Sequence, residues 1–117
     1  MKTPVYLDHQ ATTPLDPRVM EVWQRTAREH FGNPSSASHA FGWAASKVLE
    51  LAREQVAAMI GATPDEILFT SGATEANNLA LLGVARAYAG RGRDGLVCSN
   101  LEHPAVSQAV SFSIPHP

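Results

Sequence analysis

Apolar residues recur at three- and four-residue spacings through Phe41, Ala45, Val48, Leu49, Ala52, Val56, Met59 and Ile60. That rhythm predicts a long amphipathic helix from about Phe41, with Gly61 as its C-terminal stop. Upstream, Val19, Met20, Trp23 and Ala27 give a shorter helix one apolar face. Asp16 stands at its N-cap and Pro17 at its first position, where a missing N–H does no harm, and Gly32 ends it. A third helical pattern runs through Leu81, Leu82, Ala85, Tyr88 and Ala89 until the "GRGRDG" loop. Pro104 is placed to open a fourth helix, but "SFSIPHP" at the end has no amphipathic continuation, so residues 111–117 read as an atypical tail.

Two short apolar runs have the period of strands rather than helices. In Glu66 to Thr70, Ile67 and Phe69 share one face and Leu68 takes the other; Leu96 to Asn100, "LVCSN", is the second run. With the third helix between them, residues 66–100 spell strand, helix, strand at the length of a right-handed crossover. The predicted class is α/β with a parallel sheet. Two strands are too few for a buried parallel sheet, so residues 1–117 read as a single incomplete domain, the opening of something larger. Val5 to Leu7 is a strand or an extended arm, and "GNPSSASHAFG" is loop by composition.

Composition narrows the function without naming it. The chain has 117 residues, 44% of them hydrophobic and 17% charged, an ordinary globular balance. Nine Lys plus Arg against eleven Asp plus Glu leave a formal charge of -2, with no field for a polyanion, so nucleic acid is not an expected partner. No stretch approaches the ~20 apolar residues of a bilayer span. Asp8, His9 and Gln10 interrupt any signal-peptide core, and a single cysteine, Cys98, suits a reducing cytoplasm.

The sharpest local feature is "LFTSGATEANN", where a strand-like run breaks at Ser71-Gly72 and becomes helix with no intervening loop. The N–H groups of Ala73 and Thr74 then lack intrahelical partners at the positive end of the dipole, and Thr74 adds a hydroxyl. Such a turn suits a monophosphate, with neither the lysine of a nucleotide P-loop nor a G-x-G-x-x-G. A plain glycine cap with Glu75 in the first turn is the other reading. His103, just past the second strand, occupies the same carboxyl-end position as the Gly72 turn; it is either a group that stacks on a flat ring and moves protons or a structural histidine beside Glu102.

Other candidates are weaker. His9, His30, His39, His103 and His116 show no i, i+4 pairing and no cysteine pattern, so no metal site is expected. Cys98 reads as a small buried hydrophobe, and Lys47 as a solvated charge on the polar side of the long helix.

Four segments in order, "YLDHQATTPLDP" (Tyr6 to Pro17), "FGNPSSASHAFG" (Phe31 to Gly42), "FTSGATEANNLA" (Phe69 to Ala80) and "LEHPAV" (Leu101 to Val106), closely resemble the start of the cysteine desulfurase family. That family belongs to the class V aminotransferases of the fold-type I pyridoxal-phosphate architecture. The resemblance reaches about Val110 and implies the N-terminal part of such a fold, with helices around an incomplete, mainly parallel sheet. It implies that Ala73 and Thr74 contact the phosphate of pyridoxal 5'-phosphate and that His103 stacks on the pyridine ring and assists proton transfers. Asn33 and Ala11 to Thr13 match segments near the substrate pocket and the dimer interface.

In the family, sulfur passes from cysteine to an enzyme cysteine as a persulfide, leaving alanine, and then to an acceptor protein for iron-sulfur cluster or thio-cofactor assembly; the enzymes are homodimers. The cofactor-binding lysine, the aspartate that pairs with the pyridine nitrogen and the persulfide cysteine match nothing here, neither Lys2, Lys47 nor Cys98. The chain alone is therefore expected to be inactive. A selenocysteine lyase, another class V aminotransferase, or a noncatalytic paralogue acting as a dimerisation module are the alternatives.

Overall fold

A computed structural model describes residues 4–92 and 95–113, with side chains through Ser111. Lys2 and His116, like Arg93 and Asp94 of the "GRGRDG" loop, lie outside the described residues. The elements are α1 (Pro17–Glu29), α2 (Ala40–Ile60), a short 3-10 helix (Pro64–Glu66), α3 (Ala73–Tyr88) and α4 (Pro104–Ser113). They group into two compact units that divide after Ile67.

In the first unit α1 begins as its sequence dictates. Pro17 is at the start, and the Asp16 carboxylate accepts the Arg18 N–H at 2.8 Å. The helix closes at His30, whose N–H reaches the Thr26 carbonyl. α2 ends on Gly61 at φ 71°, a left-handed cap that glycine adopts without a Cβ penalty. Beyond it, Thr63 and Glu66 form a reciprocal capping box around the 3-10 helix, with the Thr63 N–H donating to Glu66 Oε2 at 2.8 Å. The Arg53 guanidinium donates to the Ile67 carbonyl and so ties α2 to the chain leaving that turn. Ala45, Ala57 and Ile67 are the buried apolar residues of this unit.

The loop before α2 is held by its own backbone. Asn33 Oδ1 accepts the Ser35 N–H at 2.9 Å, Trp43 Nε1–H donates to the Ala37 carbonyl at 2.7 Å, and the Phe31 and Phe41 rings lie 5.5 Å apart. A Cβ at Gly42 would sit 1.9 Å from the Ser36 carbonyl oxygen, and one at Gly32 2.3 Å from that of Phe41. Only hydrogen fits at either place.

The second unit is α3 packed on α4. α3 turns Asn77, Asn78, Leu81, Leu82 and Ala85 partly inward, one stripe at helical spacing, while α4 buries Ala105, Ala109 and Val110. The fourth helix thus runs through Ser113, past the point where the pattern gave out. Alanine at two of the three buried α4 positions lets the helices approach closely.

The predicted strands are where the structure departs from expectation. Among the described residues there is no strand: Glu66 belongs to the 3-10 helix, and 67–70 and 95–99 carry no ladder. A helix closes its hydrogen bonds within itself, whereas a strand needs a neighbour at about 4.8 Å. The apolar alternation is real, but pairing is not a property of either segment alone. Val97 is accordingly 101% exposed and Leu101 90%. Cys98, expected to be buried, is exposed for the same reason.

Candidate functional site

At the head of α3 the backbone leaves Gly72 at φ 162° and ψ -178°, extended values open to any residue. A Cβ there would meet nothing within 4 Å. Gly72 is thus not required by strain or by a close neighbour. What the turn provides is donors. Gly72 makes no side-chain cap, and its carbonyl takes the Ala76 N–H at 3.1 Å. The N–H groups of Ala73 and Thr74 have no partner among the described residues, and Thr74 is exposed.

Glu75, the first-turn acid, does not fill those donors. Its Oε2 accepts the Ser71 N–H at 2.6 Å and the Ser71 hydroxyl at 2.7 Å. These bonds, the backbone one foremost, hold the Glu75 carboxyl below the usual glutamate range, against a small opposing effect of desolvation. The Thr70 hydroxyl donates to the Gly72 carbonyl at 3.1 Å, and Asn78 Nδ2–H donates to the Thr74 carbonyl at 2.8 Å. Each bond fixes one side of the turn. Together they leave three consecutive N–H groups, those of Ala73, Thr74 and Glu75, a hydroxyl and open space at the positive end of a 16-residue helix, a donor set that fits a phosphate monoester.

His103 heads the other helix of this unit. Its Nδ1 accepts the Ala105 N–H at 3.1 Å, and its carbonyl takes the N–H groups of Val106 and Ser107. With Nδ1 used as an acceptor, the neutral ring carries its proton on Nε2, and the side chain is exposed. His103 is therefore a helix cap as well as the candidate it was in the sequence. Imidazole is absent from the usual list of capping side chains, so sequence reasoning missed this; the signal was His-Pro directly before a helix, with Pro104 at its first position.

The same duty recurs at His39, whose Nδ1 accepts the Gly42 N–H at 3.2 Å at the start of α2. The Ser71–Glu75 pair, a serine followed by an acid one turn on, was read from the sequence only as first-turn charge. Asn33 and Ala11 to Thr13 belong to the first unit, where the Asp8 carbonyl accepts the N–H groups of Ala11 and Thr12 and the Tyr6 hydroxyl reaches the Asp8 and Thr12 carbonyls at 2.9 and 3.1 Å. No group of three or more His, Cys, Asp or Glu side chains suited to a metal occurs among the described residues.

The class-V aminotransferase family model matches residues 5–112, and the chain belongs to that family. Cysteine desulfurase IscS of Aeromonas hydrophila subsp. hydrophila is 57% identical over 108 residues, covering 91% of this chain and 26% of the relative. IscS of Dechloromonas aromatica is 53% identical over 110 residues, 94% of this chain and 27% of the relative. Among solved structures, a NifS-like protein matches with a TM-score of 0.83 and 41% identity over 95% of this chain and 30% of its own. The chain therefore spans about a quarter of the length of the curated relatives it matches.

Proposed function

We propose that this chain is the N-terminal portion of a cysteine desulfurase in which the α3 start holds the phosphate of pyridoxal 5'-phosphate. The open N–H pair at Ala73 and Thr74 carries the reading, together with the resemblance to IscS relatives. Ala73 and Thr74 bind the phosphate through their N–H groups, and the Thr74 hydroxyl adds a third donor. His103, steadied by its bond from Ala105, lies against the ring and gives or takes a proton at Nε2. When bound, the cofactor supplies an electron sink for bond cleavage in the substrate.

In the complete protein, residues 67–70 and 95–99 enter a mainly parallel sheet, and Asn33 and Ala11 to Thr13 border the substrate pocket and the homodimer interface. The reaction there converts cysteine to alanine in the cytoplasm and hands the sulfur to an acceptor protein. No described helix is long and apolar enough to cross a membrane.

The test compares pyridoxal 5'-phosphate with pyridoxal, which lacks the phosphate, as ligands of the purified chain by equilibrium dialysis. Binding of the phosphate form at least about tenfold tighter, a difference of ~1.4 kcal/mol, supports the cup. Equal binding refutes it. The same preparation given cysteine and cofactor yields neither sulfide nor alanine; turnover would refute the assignment of the covalent chemistry to residues outside this chain.

A further inference from the structure

A glutamate in the first turn of a helix is attracted to the free N–H groups there, and nothing in the length of Glu75 prevents it from competing for them. A carboxylate that did so would occupy the cup and repel a phosphate. In this structure it is drawn the other way, onto Ser71, by two short hydrogen bonds from the residue that precedes Gly72. The exchange has two results. Ser71 loses its N–H and its hydroxyl as donors to anything above the helix, and the Glu75 charge is fixed beside them rather than over Ala73 and Thr74.

We propose that Glu75 is a positioning residue for the phosphate: by engaging both donors of Ser71 it confines the anion to the N–H groups inside the helix start, those of Ala73 and Thr74 foremost, and keeps its own carboxylate out of the cup. This rests on the phosphate reading of the α3 start. The hydroxyl bond from Thr70 to the Gly72 carbonyl supports the same turn from the other side, so the donor pair is set before any ligand arrives. Charge and reach are separable in this arrangement. Glu75→Asp keeps an acid in the first turn, where it favours the helix, but is one methylene too short for Ser71. Glu75→Gln keeps the reach and an accepting oxygen without the charge.

The experiment is a titration of the 15N-labelled full chain with inorganic phosphate and with pyridoxal 5'-phosphate, reading the amide resonances of residues 70–76. In the parent the Ala73 and Thr74 amides move and the Ser71 amide stays still. In Glu75→Asp the Ser71 amide joins the responding set, while the carboxylate freed from Ser71 competes for the cup and lowers the phosphate affinity roughly threefold to tenfold. Glu75→Gln retains the silent Ser71. The amides of 77–88 report whether α3 is intact in each variant, a control that Glu75→Asp passes because an aspartate is favourable in a first helical turn.

A Ser71 amide that stays silent in Glu75→Asp, or an affinity equal to the parent's, overturns the positioning role while leaving the cup in place. A parent in which no amide of 70–76 responds to either ligand overturns the cup and the positioning role together.

Discussion

The starts of α2 and α3 solve the same problem in opposite ways. Both follow a loop containing glycine, and both expose N–H groups without helical partners. At α2 the chain closes on itself: His39 accepts the Gly42 N–H, and Gly42 lies so near Ser36 that a Cβ would stand 1.9 Å from its carbonyl oxygen. At α3 nothing caps Gly72, no atom lies within 4 Å of where its Cβ would be, and the nearest acid is committed to Ser71. Gly42, the third residue of its helix, is demanded by the fold; Gly72, at the N-cap of its own, is not. The first marks an architectural joint; the second leaves a helix start uncovered.

The largest effect that would break this contrast is a steric one. Gly42→Ala must displace backbone at Ser36 and is expected to cost about 3 kcal/mol, lowering the thermal midpoint read by circular dichroism. Gly72→Ala meets no atom and should cost about 1 kcal/mol or less, the difference between glycine and alanine at an N-cap. Equal losses would erase the distinction between the two turns.

Next in size are the histidine caps. His39→Ala and His103→Ala each remove an acceptor from a helix start, for about 1 kcal/mol apiece in the same melting experiment. His103→Asn restores a side chain well suited to capping and should recover most of that loss, but it removes the aromatic face. Stability recovered without recovery of cofactor binding in dialysis separates the capping duty from the ring-facing one; recovery of both would leave His103 a cap only.

A smaller effect is expected from acid. Asp16, Glu66 and Glu75 are all held below their ordinary values of 3.8, 4.5 and 4.5, by bonds from Arg18, Thr63 and Ser71 respectively. Since each folded-state value lies below the unfolded one, each contribution is present in full above the ordinary range and is lost as pH falls through the depressed value. Helicity measured from neutral pH downward should hold until below about pH 4.5 and then decline. Glu75→Gln should remove the α3 share of that decline and leave the α1 share. All three groups are exposed, so the amplitude is modest. Smallest of all is Arg18→Ala: the Arg18–Asp16 pair at 2.8 Å is on the surface, and its removal should change the melting midpoint less than either histidine variant.

What could be read from the sequence follows the same divide between self-contained and dependent structure. Asp16-Pro17, the apolar spacing from Phe41 to Ile60 and Gly61 each specify their helix boundary locally, and α1 starts and α2 runs and stops where those residues say, whereas α1 closes at His30, before the Gly32 expected to end it. The Gly72 break and the α3 stripe at Leu81, Leu82 and Ala85 were legible for the same reason. Residues 66–70 and 96–100 were not, because alternation states which faces a strand would bury and not which strand it will meet. Within the candidate site, the place of Ala73 and Thr74 at the start of α3 and of His103 just ahead of α4 could be read from the sequence. The Ser71–Glu75 bond was not, because an acid in a first turn is expected there whatever it touches.

That dependence also has a kinetic side. The hydrogen bonds of α1, α2, α3 and α4 close within each helix, and structure of that kind forms in about a microsecond without distant segments having to meet. Residues 67–70 and 95–99 are separated by the whole of α3, so any ladder between them must wait for that helix to form and for the loop around it to close. On a ribosome delivering roughly ten residues each second, the helices have ample time to settle first. Val97 and Leu101, exposed once the helices are in place, are then apolar surface that a nascent chain keeps uncovered until that later step.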